Sequence, residues 1–364
     1  MQQTPEEISQ EKLRYEKIAQ NHKRHHWVPQ FYLRFFATSP GGKRIYLYQS
    51  SSKPLHVGIA DVAASKELYT FEENENGGKT RMMEGVFSEH ENIAAGVLSE
   101  VIRKECLPER VEDRSHIAVF VSLLKVRGPS FAEWLRNMEI EHIKLFQQSI
   151  AENADLLRKE FEDAGIAFSS DEEFEETRKF MLNPEGYTVK MKGGEGYYFK
   201  QAMDLSKEFY NILMSKKSWH LLVAPDKRHF ITSDNPVVIQ EPEDCPPHLS
   251  GGILNGTVLL TISPRLCLAF RRIPLINQKI FLSREDVNNI NKSVARAARR
   301  HLYSHIDSKD LMALCNELLV GNDSKVTIKR LVRYAPYYIS TGIPQYGETD
   351  GLRLNSASMP LKKE

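Results

Sequence analysis

Hydrophobic periodicity changes twice along this chain of 364 residues. From residue 82 to about 214 the apolar residues recur at helical spacing, whereas residues 44–71 and 219–272 hold short runs that alternate or are continuously apolar. Strands drawn from both sides of a long helical stretch dictate an α+β fold, an antiparallel sheet with a helical lobe inserted in the middle of the chain. In 82–103 the stripe is Met83, Phe87, His90, Ala94, Val97 and Val101. A second helix spans 111–126 with Ile117, Phe120, Val121 and Leu124 inward. Gly128 ends it, and Pro129 suits the first turn of the next, which carries Phe131, Leu135 and Met138. Residues 197–214 are helical again, and 284–301 and 309–320 follow the strands. Ser283 and Asp286 have the spacing of a capping box.

This order predicts one composite domain over 1–364. Residues 1–72 and 219–345 supply the sheet and C-terminal helices, 82–214 the helical lobe, and 346–364 a tail without fixed structure. Thr4-Pro5 reads as the start of a short charged helix over 5–20, 73–80 and 186–200 read as loops, and the acidic stretch 151–182 reads as a solvated helix pair or an excursion. Cys106, Cys245, Cys267 and Cys315 are far apart and include no CxxC pair, which argues for buried free thiols in a reducing compartment. No run of 18 apolar residues exists and the first twenty residues are polar, so a cytoplasmic protein without a membrane partner is expected. Basic and acidic residues number 49 and 48, which excludes a uniformly basic nucleic-acid-coating protein.

Chemistry-bearing residues are densest in His25-His26-Trp27-Val28-Pro29-Gln30-Phe31-Tyr32-Leu33-Arg34-Phe35-Phe36. Pro29 keeps Val28 extended and can open a helix whose Tyr32, Phe35 and Phe36 pack inward. His25 and His26 then precede a helix N-terminus. His26 is expected as the base or ligand, with His25 in an exposed basic lead-in. The alternative is a purely architectural segment whose aromatics are buried.

The segment resembles the hallmark His-His-x-Val-Pro-x-x-Tyr-Leu-Arg-x-Phe of the bacterial family catalogued as domain of unknown function four-two-three-eight. The resemblance continues in the same order through Glu84 and Glu91, Arg127-Gly128-Pro129, Ser233-Asp234-Asn235-Pro236 and Ser263-Pro264, and leaves the acidic stretch 151–182 outside it. It implies no particular activity.

Glu84 and Glu91 are seven apart and share a helix face with Phe87, Leu98 and Ile102. Arg127 falls on the apolar stripe of Phe120 and Leu124, so a buried guanidinium is expected to pair with Glu84 or Glu91, either to pin two helices or to form a polar binding cluster. Ser233-Asp234-Asn235-Pro236 is a turn at the end of an apolar strand, a place where either turn geometry or ligand binding is served. Residues 251–340 hold 14 Lys and Arg against 6 Asp and Glu, including Arg265, Arg296, Arg299, Arg300, Lys329, Arg330 and Arg333. Arg296, Arg299 and Arg300 are expected on the polar side of a helix whose inner stripe is Val287, Ile290, Val294 and Ala298, a face able to follow a phosphate backbone. Asn291 lies on the apolar side and must be hydrogen-bonded.

Walker A, GxGxxG, HExxH and GxSxG patterns are absent. The His-His-x-Val-Pro start is similar to the opening of ββα-metal nucleases, but their downstream Asn and second His are not found at the expected distance. The residues therefore support a metal-dependent hydrolase of nucleic acid: His26, Glu84, Glu91 and Asp234 catalytic, Glu91 and Asp234 holding Mg²⁺ or Mn²⁺, and His25, Arg127, Asn235, Arg265, Arg296, Arg299 and Arg300 gripping phosphates. The alternatives are a non-catalytic nucleic-acid or protein binding module, such as a sensor or effector of a bacterial defence system, and an enzyme of a small anionic ligand. Convergence of His26, Glu84, Arg127 and Asp234 favours an enzyme. Separate structural partners for each favour the binding module.

Overall fold

A computed structural model of the chain describes residues 10, 13–17, 24–66, 68, 71–72, 79–80, 82–189, 195–241, 252–272 and 278–319. The start of the charged N-terminal helix, most of the 73–80 loop, Gly193-Gly194, Cys245, Lys329, Arg330, Arg333 and the tail lie outside these residues.

Apolar alternation builds the centre. Strands β7 (Ser218–Val223), β9 (Val237–Gln240), β10 (Thr257–Thr261), β11 (Leu266–Arg271) and β12 (Gln278–Phe281) form a sheet in the order β12-β7-β11-β10-β9. Every pairing is antiparallel except β12 with β7. Trp219, Leu221 and Val223 of β7 and Leu266, Leu268 and Phe270 of β11 face one core, while Leu222, Cys267 and Ala269 face another. This sheet is thus buried on both faces, which is why its strands read as continuous apolar runs.

The first face is covered by helices. Helix α1 (Gln30–Arg34) begins after Pro29, as its fixed φ favours. Helices α2 (Met82–Lys104) and α3 (Val111–Val126) pack on each other, and α3 also packs on α7 (Glu195–Ser215). Between them lie α4 (Pro129–Glu152), α5 (Ala154–Asp163) and α6 (Asp171–Leu182). The acidic stretch is therefore a helix pair, with Asn153 and Ser170 as N-caps around a small core of Ala151, Leu157 and Phe174. The second face is covered by α9 (Arg284–Ala297), which follows the short α8 (Gly252–Asn255), and by α10 (Lys309–Leu318). Ser283 and Asp286 form the expected capping box.

The fold is α+β, but the strands from residues 44–71 do not join that sheet. Strands β2 (Arg44–Tyr48) and β3 (Leu55–Gly58) belong to a four-stranded sheet of order β3-β2-β13-β8, with β8 (Thr232–Ser233) and β13 (Leu302–Ser304). Two small ribbons complete the strands: β1 (Arg24–His26) with β4 (Ala64–Lys66), and β5 (Phe71–Glu72) with β6 (Lys79–Thr80). Cys267 and Cys315 are buried free thiols as expected, but Cys106 is exposed.

Candidate functional site

The hallmark segment is fixed first by strand parity. In β1 Arg24 is exposed, His25 buried and His26 half-buried, because successive side chains point to opposite faces. The expectation of an exposed His25 is therefore overturned. His26 Nε2 lies 3.1 Å from the Ala60 carbonyl oxygen, which only accepts, so Nε2 carries a proton. The Trp27 N–H donates to the Ala63 carbonyl at 3.0 Å. Tyr32 of α1 and Phe36 just beyond it are buried, and Phe35, its C-cap, is half-buried. The Tyr32 hydroxyl donates to the Thr261 carbonyl at 2.7 Å and lies 2.7 Å from Thr232 Oγ1, which ties the helix to both sheets. Burial pushes that phenol well above its ordinary range.

Arg127 caps the C-terminal end of α3, and its side chain turns into the protein with 2% of its surface exposed. Its Nη1 donates to Glu91 Oε1 at 2.6 Å, its Nε donates to the Trp27 carbonyl at 2.8 Å, and its guanidinium carbon sits 5.4 Å from the Phe87 ring centroid. The predicted buried pair is present, with Glu91 as the partner. Glu84, two turns earlier on α2, is held up to about 7 by burial and by the Glu91 charge, against the pull of Arg127. Near neutral pH it titrates, so it can hold or release a proton there.

The turn Ser233–Pro236 is the second half of the site. Asp234 is buried, and its two oxygens accept the backbone N–H groups of Arg299 at 2.8 Å, Arg300 at 2.9 Å and His301 at 3.1 Å. His301 Nδ1 lies 3.6 Å from the same carboxylate. Burial raises the Asp234 carboxyl while the three N–H groups and His301 oppose it. Burial lowers His301 while Asp234 opposes that shift. Asn235 Nδ2 donates to the Ala297 carbonyl at 2.8 Å and so closes α9. The expected helix over 284–301 ends there for this reason. Arg299 and Arg300 lie beyond it on a turn, not on the polar face of a helix.

Trp27 connects the halves. Its carbonyl accepts from Arg127 and its indole N–H donates to the Asp234 carbonyl at 2.9 Å. A side chain at Gly128 would meet the same indole. Lys125 of α3 adds a bond from Nζ to the Val237 carbonyl at 3.1 Å, just after the turn, and burial lowers its ammonium to about 8. Glu91, Arg127, Trp27 and Asp234 form one continuous chain that ends on the backbone of Arg299, Arg300 and His301. Sequence reasoning missed Trp27, Lys125 and His301. The signal for Trp27 was its place between the second histidine and Val28-Pro29.

The remaining candidates separate. Arg265 donates through Nε to Glu105 Oε1 at 2.7 Å, and Lys279 shares Glu105 at 3.0 Å, so Arg265 serves an ion-pair network rather than the site. Arg299 Nη2 reaches Glu133 Oε2 at 3.3 Å. Arg296 and Arg300 are exposed. Val287, Ile290, Val294 and Ala298 form the inner face of α9 as expected, and Asn291 accepts the Ile231 N–H and donates to the His229 carbonyl. Glu91 and Asp234 do not fit the role of joint Mg²⁺ or Mn²⁺ ligands. One is bonded to a guanidinium and the other is filled by three N–H donors. Among the described residues no three His, Cys, Asp or Glu side chains stand together as metal ligands.

A family model described as "Protein of unknown function (DUF4238)" matches residues 24–308, from the first strand to the N-cap of α10. No curated protein and no solved structure matches the chain. Among the described residues no helix is long and apolar enough to cross a membrane.

Proposed function

We propose that this chain, which belongs to the DUF4238 family, is a nucleic-acid-binding module whose hallmark residues position a basic surface. The observation that carries this reading is the Asp234 carboxylate, which holds the backbone of Arg299, Arg300 and His301. Three of the four expected catalytic residues spend polar atoms on protein partners, His26 on Ala60, Glu91 on Arg127 and Asp234 on the turn. Arg300 projects from that turn, and Arg296 and Lys292 lie four residues apart on exposed positions of α9. Fixed cations of this kind attract a phosphate backbone without reading its sequence.

The test is fluorescence anisotropy with single- and double-stranded DNA and RNA across a salt series. Each phosphate contact contributes about −0.7 to −0.9 to the slope of log K against log salt. The paired reversal Arg296→Glu with Arg300→Glu should weaken binding and flatten that slope by about two contacts. Binding that is absent, or insensitive to salt, refutes the reading.

A second reading rests on Glu84. A carboxyl held near 7 beside Glu91 is a suitable proton donor for hydrolysis of nucleic acid. Cleavage whose rate falls as pH rises through 7 in wild type, and is abolished in Glu84→Gln, would favour it. No cleavage by folded protein across that range removes it.

A further inference from the structure

We infer that the cleft between the 225–229 turn, α9 and α10 binds a phosphomonoester dianion of about nucleotide size. The cleft has a volume of about 460 Å³, within the range of ligand pockets. Lys227, Arg228 and Lys292 line it against a single carboxylate, Asp310. None of the three cations makes an ion pair among the described residues, although the surrounding surface offers exposed carboxylates. Asn288 and His229 add neutral donors, and Val287, Leu311 and Leu314 give one wall an apolar surface. Converging cations suit a doubly charged phosphate, and the apolar wall suits the sugar or base that it carries.

The walls are preorganised. Asn291 ties the backbone of Ile231 to that of His229 beneath the cleft. The Tyr48 hydroxyl accepts the Ser308 N–H and donates to the Ile306 carbonyl, both at 2.8 Å, which sets the opposite rim. Lys227 takes a left-handed φ of 64° in a turn closed by the Arg228 N–H to the Pro225 carbonyl at 3.2 Å. A non-glycine residue held there marks a conformation that the surroundings impose. The His229 ring packs edge-on against His305 at 4.6 Å, and His305 Nδ1 is buried with no hydrogen-bond partner among the described residues. Burial lowers His229 and brings His305 down to about 4, so both rings are neutral near pH 7; His229 lines the cleft and can offer a ligand a hydrogen bond, while His305 packs behind it.

Free nucleotides and the 5′-terminal phosphate of a nucleic acid share this chemistry. The second source rests on the nucleic-acid-binding reading, because the same helix carries Lys292 from the cleft toward Arg296. Calorimetric titration at about 50 mM salt, where charge recognition is strong, would compare AMP with adenosine, and a 5′-phosphorylated oligonucleotide with its 5′-hydroxyl form. Wild type should favour the phosphorylated member of at least one pair by about tenfold or more. Arg228→Glu and Lys292→Glu should each erase that preference, whereas Lys159→Glu, an exposed position on α5 outside the cleft lining, should keep it. A preference confined to AMP assigns a free nucleotide, and one confined to the oligonucleotide assigns a chain end. Equal binding within both pairs, or a preference that survives both cleft reversals, overturns the inference. If overall salt-sensitive binding that depends on Arg296 and Arg300 persists in that case, the cleft alone falls and the nucleic-acid-binding reading stands.

Discussion

Removing either partner of the Arg127–Glu91 pair should destabilise the fold, but by unequal amounts. Arg127 exposes 2% of its side chain and Glu91 exposes 24%. Arg127→Met takes away a charged hydrogen bond of about 1.5–3 kcal/mol and leaves the Trp27 carbonyl short of a donor, about 1 kcal/mol more. Methionine refills much of the volume, and the abandoned carboxylate still touches water. The expected cost is about 3 kcal/mol, at the low end for a broken buried pair. Glu91→Leu instead takes the carboxylate from a guanidinium that exposes only 2% of its side chain, so about 5 kcal/mol is expected. The double variant leaves no stranded charge and should recover about 2 kcal/mol relative to the sum of the single losses. Urea unfolding followed by circular dichroism at neutral pH gives all three values. The reasoning is wrong if Arg127→Met costs more than Glu91→Leu, or if the double variant is additive.

Glu84 gives a pH dependence with a definite sign. Its carboxyl is raised from 4.5 to about 7, so the folded protein holds a proton in that interval which the unfolded chain has released. Its stabilisation is complete below the lower value and lost as pH rises through the upper one, and Glu84→Gln should therefore gain about 2–3 kcal/mol over wild type between roughly pH 5 and pH 8. His305, lowered from 6.5 to about 4, acts with the opposite sign over its own interval, so the difference between the two proteins, rather than the wild-type curve, is the measurement. A pH-independent difference contradicts the placement of Glu84. Asp234→Asn leaves one acceptor oxygen for three N–H donors, and should cost about 2–3 kcal/mol in a denaturant melt while also weakening polyanion binding through the loosened Arg299-Arg300 turn. Trp27→Phe keeps the ring but loses the N–H to the Asp234 carbonyl, with an expected loss of about 1 kcal/mol; an unchanged melting midpoint would show that this link carries no weight.

What the sequence disclosed was local. The helix after Pro29, the break at Gly128-Pro129, the Ser283–Asp286 box and the inner stripe of α9 each depend on neighbours within a few residues. The buried Arg127 was legible too, because a charge on an apolar stripe must find a partner. The failures were long-range. His25 is buried because β1 pairs with residues 64–66, and a three-residue strand carries too little alternation to announce its inner face. Helix α9 stops early because a side chain 62 residues away captures its last carbonyl. The division into two sheets turns on β13, a strand of three residues that propensity alone could not separate from the end of the preceding helix. The partners of the acidic residues were only half legible: Arg127, which holds Glu91, is a side chain that the sequence displays, but the donors on Asp234 are backbone N–H groups, which every sequence contains.

The position of β13 has a consequence for the growing chain. It lies between β2 and β8, where Leu302 pairs with Tyr48, and the Tyr48 hydroxyl bonds the Ile306 carbonyl just past that strand, 258 residues along the chain. During synthesis β2 can pair with β3 at once, yet its other edge stays open until almost the whole family region has left the ribosome. At about 5–20 residues per second that interval lasts roughly ten seconds to a minute. An unpaired edge for so long is an invitation to strand exchange between neighbouring nascent chains. A chain that stalled or was clipped just short of Leu302 would keep that edge open permanently, so its fate would be association or degradation rather than a smaller working module.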